Sequence, residues 1–141
     1  MVDSERVSRL LDGVRTDLAF LKASAAKPPD DLAVDQVALD AVKYRFVTAI
    51  EGCAKVAHHL VASEGWSVPE TNAAAVRELG RHGVVERVVA DSVARAVGFR
   101  NVLVHQYADV DDARVIAQLT RLDDLEAYVA QIAAWLLAAP G

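Results

Sequence analysis

The chain is poor in the residues that staple, span or recognise by charge alone. One cysteine in 141 residues excludes an internal disulfide, and Cys53 sits on an apolar helical face, as a core thiol would. Aromatics are scarce, while alanine and valine dominate the 53% of hydrophobic residues, a composition suited to closely packed helices. No apolar run approaches the ~20 residues needed to cross a bilayer, and charge begins at Asp3. No secretory or membrane segment is visible, so a cytoplasmic location is expected. An excess of positive charge is missing too: the formal net charge is −5 and the pI about 5.3. Proteins that grip nucleic acid along its phosphates are usually basic, which argues against extended RNA binding but leaves room for one small positive site. Glycine-rich phosphate loops, nucleophile elbows and H-E-x-x-H zinc motifs are all absent.

What is present is helical periodicity. Val7, Leu10, Leu11, Val14, Leu18 and Leu21 mark an amphipathic helix over residues 4–23, with Ser4 or Asp3 as its cap. Lys27-Pro28-Pro29-Asp30 reads as a loop, because two prolines cannot share a helix interior. A long helix over 34–63 carries Leu39, Val42, Phe46, Ile50, Cys53, Val56 and Leu60 as its stripe. A short helix from Pro69 to about Leu79 follows, with Gly80 and Gly83 as breaks, then a helix over 84–105 and a last one over 111–138. No strand alternation, internal repeat or low-complexity tract competes. The expected fold is all-α, an antiparallel bundle of four to five helices forming a single domain over residues 1–141.

One segment departs from this pattern. Arg100-Asn101-Val102-Leu103-Val104-His105-Gln106-Tyr107 puts a permanent cation, an amide, an imidazole and a phenol into core-like helix. On an ideal wheel Arg100 lies within about 60° of Val89, Val93, Val97, Val104 and Tyr107. An unpaired buried guanidinium costs several kcal/mol, so an anion or a partner surface is expected to meet it. Asn101 and His105, four apart, share a face about 100 to 140° away. The helix is expected to stop just after, with Asp109 capping the next one and Asp111 and Asp112 in its first turn. The stretch from Arg77 to Arg100 holds five arginines against three acids, a modest basic bias that a solvated Arg87-Asp91-Arg95 ladder would account for.

The chemistry available to such an arc is metal-free RNA cleavage, in which the 2′-hydroxyl attacks the adjacent phosphorus. His105 suits either proton-transfer role, its ordinary pKa being near 6.5. Arg100 offers a planar fork for the phosphoryl oxygens, and Asn101 can orient the imidazole or the phosphate. One histidine serves two proton roles only if a second copy supplies its own, so a homodimer with paired Arg100 and His105 is expected. His58 and His59, with Glu51 and Glu64 the nearest carboxylates, offer no metal spacing, and neither a metal nor another cofactor is expected. His82 reads as a loop residue; Trp66 and Trp135 read as packing residues, Trp66 alternatively as a partner contact.

Phe99 to Tyr107 resembles the R-x4-H-x-Y signature of HEPN-domain ribonuclease toxins of the HepT type, which pair with MntA-like nucleotidyltransferase antitoxins. The resemblance covers roughly residues 40 to 135. It includes His58-His59-Leu60, Gly65, Pro69, Thr71, Leu79 and Gly83-Val84-Val85. It implies a HEPN helical bundle with composite sites where two bundles meet, and an endoribonuclease acting on mRNA or tRNA. Arg100 and His105 would be catalytic and Asn101 supporting. It also implies that Tyr107 is where the antitoxin attaches AMP, placing phosphate beside Arg100 and repelling the RNA backbone. Two alternatives stay open. One is a non-catalytic HEPN partner of a nucleotidyltransferase that holds nucleotide or substrate. The other is a dimerisation bundle in which Arg100 pairs with a carboxylate across the interface.

Overall fold

The computed structural model describes residues 2–106 and 109–138. Among them the regular elements are helices: α1 (Ser4–Ala25), α2 (Pro29–Ala33), α3 (Gln36–Glu64), α4 (Asn72–Arg81), α5 (Arg87–His105) and α6 (Asp112–Gln118). A 3-10 turn at Leu119–Arg121 then leads into α7 (Leu122–Ala138). The starts are capped by short polar side chains: Asp3 accepts from the Arg6 amide, Asp35 from Ala38, Thr71 from Ala74 and Asp111 from Ala113. Gly65, in the left-handed region at φ 70°, ends α3, where any residue with a Cβ would be strained.

α1, α3, α5 and α7 close a ring in which each helix packs on the next, and α4 lies on α3 and α5. Paired side chains give the directions. Asp3 meets His59 while Asp17 meets Arg45, so α1 and α3 run antiparallel. Ser92 meets Asp124 while Glu86 meets Gln131, so α5 and α7 do as well. The whole expected stripe of α3 is buried, together with Ala49, Ala57 and Val61, which makes α3 the wall shared by most of the core. Each fully buried leucine or isoleucine there contributes roughly 1.5–3 kcal/mol. Phe46 and Phe99 pack edge to face at 5.6 Å, joining α3 to α5. Tyr128 is wholly buried, and its hydroxyl donates to the Cys53 carbonyl at 2.8 Å, joining α7 to α3. Lys43, also buried, reaches Asp112 at 3.1 Å and ties α6 to α3. No described helix is long and apolar enough to cross a membrane.

Several expected boundaries move, each for a local reason. Pro29 does not prolong a loop but opens α2 at its first position, where the missing N–H costs nothing. Thr71, not Pro69, starts α4, and Asp111, not Asp109, caps the next helix. The last helix divides into α6, the 3-10 turn and α7. Gly80 does not break α4; it is buried inside it, and a Cβ there would lie 2.8 Å from the Cβ of Ala90. That glycine is a packing requirement, since α5 passes too close for a side chain. Trp66 stacks on His82 at 3.9 Å, and His82 lies in the turn just after α4, as expected of a loop residue.

Two expectations follow. Gly13 lies in α1 with nothing within 4 Å of an added Cβ, so Gly13→Ala should raise stability by about 0.5–1 kcal/mol. Gly80→Ala should lower it by about 1 kcal/mol or more despite the same propensity gain. Urea denaturation of the pair checks this, and a stabilised Gly80→Ala protein would contradict the close α4–α5 approach.

Burial pushes the Cys53 thiol from 9.0 up to about 12, and burial also raises Tyr128 well above its ordinary value. Above pH 9 the unfolded chain releases the thiol proton while the folded chain keeps it, so stability falls as pH rises, by roughly 1.4 kcal/mol per unit from this group. Unfolding free energies between about pH 8 and 11 should decline less steeply in Cys53→Ala. Identical slopes would place the thiol in water.

Candidate active site at the end of α5

The Arg100–His105 segment occupies the last two turns of α5, with His105 its final residue. Helical period divides it by face. Phe99 and Leu103 point into the core, Arg100 is half-buried, and Asn101, Val104 and His105 are exposed. Arg100 shares its face with Val89, Val93 and Val97, all buried, so the cation does stand at the end of an apolar stripe.

What meets it is a carboxylate of the same chain. Arg100 Nη2 donates to Glu51 Oε1 of α3 at 2.5 Å, and Arg100 Nη1 donates to Asn101 Oδ1 at 2.9 Å. The idea that Arg100 pairs across a subunit interface is thereby corrected: Glu51 supplies the partner from within the fold. The signal was available, because Glu51 is the only carboxylate of α3 between Asp40 and Glu64 and follows buried Ile50 directly. An acid set in one apolar helix answers a cation set in another. The match is incomplete, however. Arg100 Nε is buried and has no hydrogen-bond partner among the described residues. A guanidinium left short of one bond is easier to draw away from its carboxylate than a fully matched fork.

His105 and Asn101 lie one turn apart on the exposed face, and no described residue bonds to the His105 ring. Five residues separate Arg100 from His105, which on an ideal helix is about 140° of rotation and about 7.5 Å of rise. The structure therefore brings Arg100 and Asn101 together and leaves His105 facing solvent beyond them. Tyr107, the expected modification site, lies outside the described residues. Val104, beside Arg100 on the wheel, is 42% exposed, an apolar side chain left uncovered next to the cation. On the far side of Glu51 a groove of about 450 Å³ runs between α1 and α3, lined by Arg9, Tyr44, Arg45, Glu51 and Lys55 among others. Arg45 is already engaged there by buried Asp17 at 3.0 Å.

His58 and His59 have partners within the fold. His58 bonds to Asn72 at 2.9 Å, and His59 accepts the Asp3 amide at 3.2 Å. Among the described residues no group of three His, Cys, Asp or Glu side chains is placed to hold a metal ion. Asp91 pairs with Arg77 at 3.5 Å, so the expected Arg87-Asp91-Arg95 ladder is not what engages that carboxylate.

Comparison with known proteins bears on the fold and the family. A family model described as ribonuclease HepT-like matches residues 15–132. The mRNA nuclease HepT of Shewanella oneidensis is 24% identical over 91 residues, which are 64% of this chain and 68% of that protein. The tRNA nuclease HepT of Aphanizomenon flos-aquae is 35% identical over 68 residues, 48% of this chain and 46% of that one. Among solved structures, the tri-AMPylated HEPN toxin of Shewanella oneidensis in complex with its MNT antitoxin superposes with a TM-score of 0.84. The shared sequence identity is 18%, and the alignment covers 95% of this chain and 99% of that one. The likeness shows a common fold.

The Arg100–Glu51 pair can be tested for its weight. Its side chains are 21% and 33% exposed, so solvent screens it, and a coupling of about 1 kcal/mol is expected from a Glu51→Ala, Arg100→Ala double-mutant cycle in urea. Additive single effects would mean that the pair does not form in solution.

Proposed function

The chain belongs to the ribonuclease HepT-like family, and on that premise we propose that it is a toxin endoribonuclease cutting RNA by metal-independent transesterification. The observation that carries the reading is Arg100, a cation held by one carboxylate and one amide at a helix end, with an unengaged imidazole one turn beyond.

The 2′-hydroxyl oxygen attacks the adjacent phosphorus, the P–O2′ bond forms and the P–O5′ bond breaks. A base takes the hydroxyl proton and an acid returns a proton to O5′, leaving a 2′,3′-cyclic phosphate and a 5′-hydroxyl. His105 fills either proton role. Arg100 exchanges Glu51 for the phosphoryl oxygens and stabilises the charge that builds on them. Asn101 already accepts from Arg100 Nη1 and would hold the guanidinium in place during that exchange.

Two proton roles call for a second histidine, and a homodimer supplies it. The divergence of Arg100 from His105 within one chain supports a composite site, in which each guanidinium works with the partner copy's imidazole. The exposed Val104 beside Arg100 supplies apolar surface for such a contact. Substrates are RNA, as the mRNA- and tRNA-nuclease names of the relatives suggest. The antitoxin would be an MntA-like nucleotidyltransferase that attaches AMP to Tyr107, in keeping with the AMPylated toxin among the structural neighbours. Phosphate fixed two residues beyond His105 would compete for Arg100 and repel the RNA backbone. One observation favours a second reading, that of a non-catalytic partner of a nucleotidyltransferase: Glu51 already neutralises Arg100, as it would in a scaffold.

Purified protein with EDTA present should release 2′,3′-cyclic phosphate ends. His105→Ala should slow this by about 100- to 10,000-fold, and Arg100→Lys by about 100-fold because a point charge lacks the bidentate fork. Equal cleavage by the parent and His105→Ala would sink the assignment. Inactivity of both, with Tyr107 shown unmodified by intact mass, would favour the non-catalytic reading.

A further inference from the structure

A second site lies one face away from Arg100. A cavity of about 170 Å³ opens between α5, α6 and α7, and its lining includes Arg95, Arg114 and Arg121. Its floor is apolar and aromatic, with Phe46, Phe99 and Leu125. Among the described residues none of these three arginines has a carboxylate within ion-pair distance. The one acid of the lining, Asp124, takes the Ser92 hydroxyl. In a chain of net charge −5, three guanidinium groups against one carboxylate around one concavity are a local reversal of sign. Their mutual repulsion is relieved by an anion.

The cavity suits more than a bare anion. A cavity of about 150 Å³ accommodates one benzene ring, so this one takes a single six-membered ring with its substituents directed to the mouth. The Arg114 guanidinium covers the ring of buried Phe99 at 5.7 Å, and the outer face of a guanidinium so held is a surface on which an unpaired base stacks. Gln118 also lines the cavity and offers both a donor and an acceptor to a base edge. Phosphate oxygens at the mouth would meet the three arginine forks.

We propose that this cavity binds a pyrimidine nucleotide, its ring stacked on the Phe99-backed guanidinium of Arg114 and its phosphate held by Arg95, Arg114 and Arg121. The site is separate from the Arg100–His105 arc and does not depend on whether RNA is cut there. The nucleotide is either one unit of an RNA strand or a free mononucleotide, and the same chemistry recognises both.

The test uses the full chain carrying His105→Ala, which keeps RNA intact, with and without Arg114→Gln and Arg121→Gln together. Both arginines are exposed, and unchanged circular dichroism checks that the variant folds. UMP, AMP and a short oligouridylate are titrated against each protein. UMP should bind more tightly than AMP and lose about tenfold in affinity in the arginine variant, a change of about 1.4 kcal/mol. If the oligouridylate also weakens, its salt dependence shallower by about 0.7 for each phosphate no longer neutralised, the site serves an RNA strand. If it is unchanged while UMP weakens, the site takes free nucleotide. Absence of UMP binding, equal affinity for UMP and AMP, or UMP binding indifferent to the arginines overturns the proposal. Cleavage by the parent chain is measured separately, so failure of the ribonuclease reading leaves this result standing.

Discussion

The structure depends on one helix being buried on most of its circumference. α3 packs mainly on α1, α4 and α5, with smaller contacts to α2 and α6, and the polar groups it carries inward have to be answered by the surrounding helices. They are. Arg45 and Thr48 are bound by Asp17 of α1, Lys43 by Asp112 of α6, and His58 by Asn72 of α4. The Cys53 carbonyl is capped by the Tyr128 hydroxyl from α7. Unmet polar groups in such a position cost about 1–3 kcal/mol each, so these pairings fix the order and angle in which helices settle around α3. Glu51 belongs to the same set, and α5 answers it with Arg100. The candidate active cation is thus placed by the same requirement that assembles the bundle.

That origin explains why Arg100 can serve two purposes. A guanidinium deep in an apolar stripe would need a permanent partner, whereas one fully in water would need none. Arg100 is intermediate, and its partner carboxylate is a third exposed. With Nε unmatched, the pairing is sufficient to hold the side chain extended over α3 but short of saturating it. An arriving phosphate presents the same pair of oxygens as Glu51 and more charge. On the proposed reading the carboxylate would act as a placeholder that preorganises the cation, leaving little reorganisation for the arrival of substrate.

The sequence made the helical stripes, the cap at Asp3 and the anomaly at Arg100 legible, because each is a local or periodic property, whereas the cap of α6 is Asp111 and not the expected Asp109. The stripe of α3 is buried at every expected position. Gly80 misleads for the opposite reason: glycine lowers helix propensity locally, but here its lack of a side chain is what lets α5 approach so closely at Ala90, a tertiary fact with no local signature. Glu51 stands out as the only carboxylate of α3 between Asp40 and Glu64, but 49 residues separate it from Arg100, and only packing assigns the one to the other. Arg114 and Arg121 escaped notice because they belong to the segment where the last helix breaks; only the turn at Leu119–Arg121 sets them around the same cavity as Arg95. Tyr107 lies outside the described residues.

The proposed reading asks an acidic chain to act on a polyanion, which is less paradoxical once these placements are considered together. Net charge governs long-range steering, which is weak here and falls further over a Debye length of about 8 Å in physiological salt. Close contacts follow local charge. A lone phosphate at Arg100 has to displace Glu51, so its affinity is reduced by whatever that pair contributes. A strand that also reaches the arginine-lined cavity recovers that loss through a second, independent contact, since the two sites lie on adjoining faces of α5 and share the Phe99–Arg100 junction. Discrimination against inorganic phosphate and for an extended nucleotide chain then arises from the carboxylate itself. Removing Glu51 would strengthen simple anion binding while weakening the distinction between phosphate and RNA, which is the opposite of what an inert structural ion pair would do.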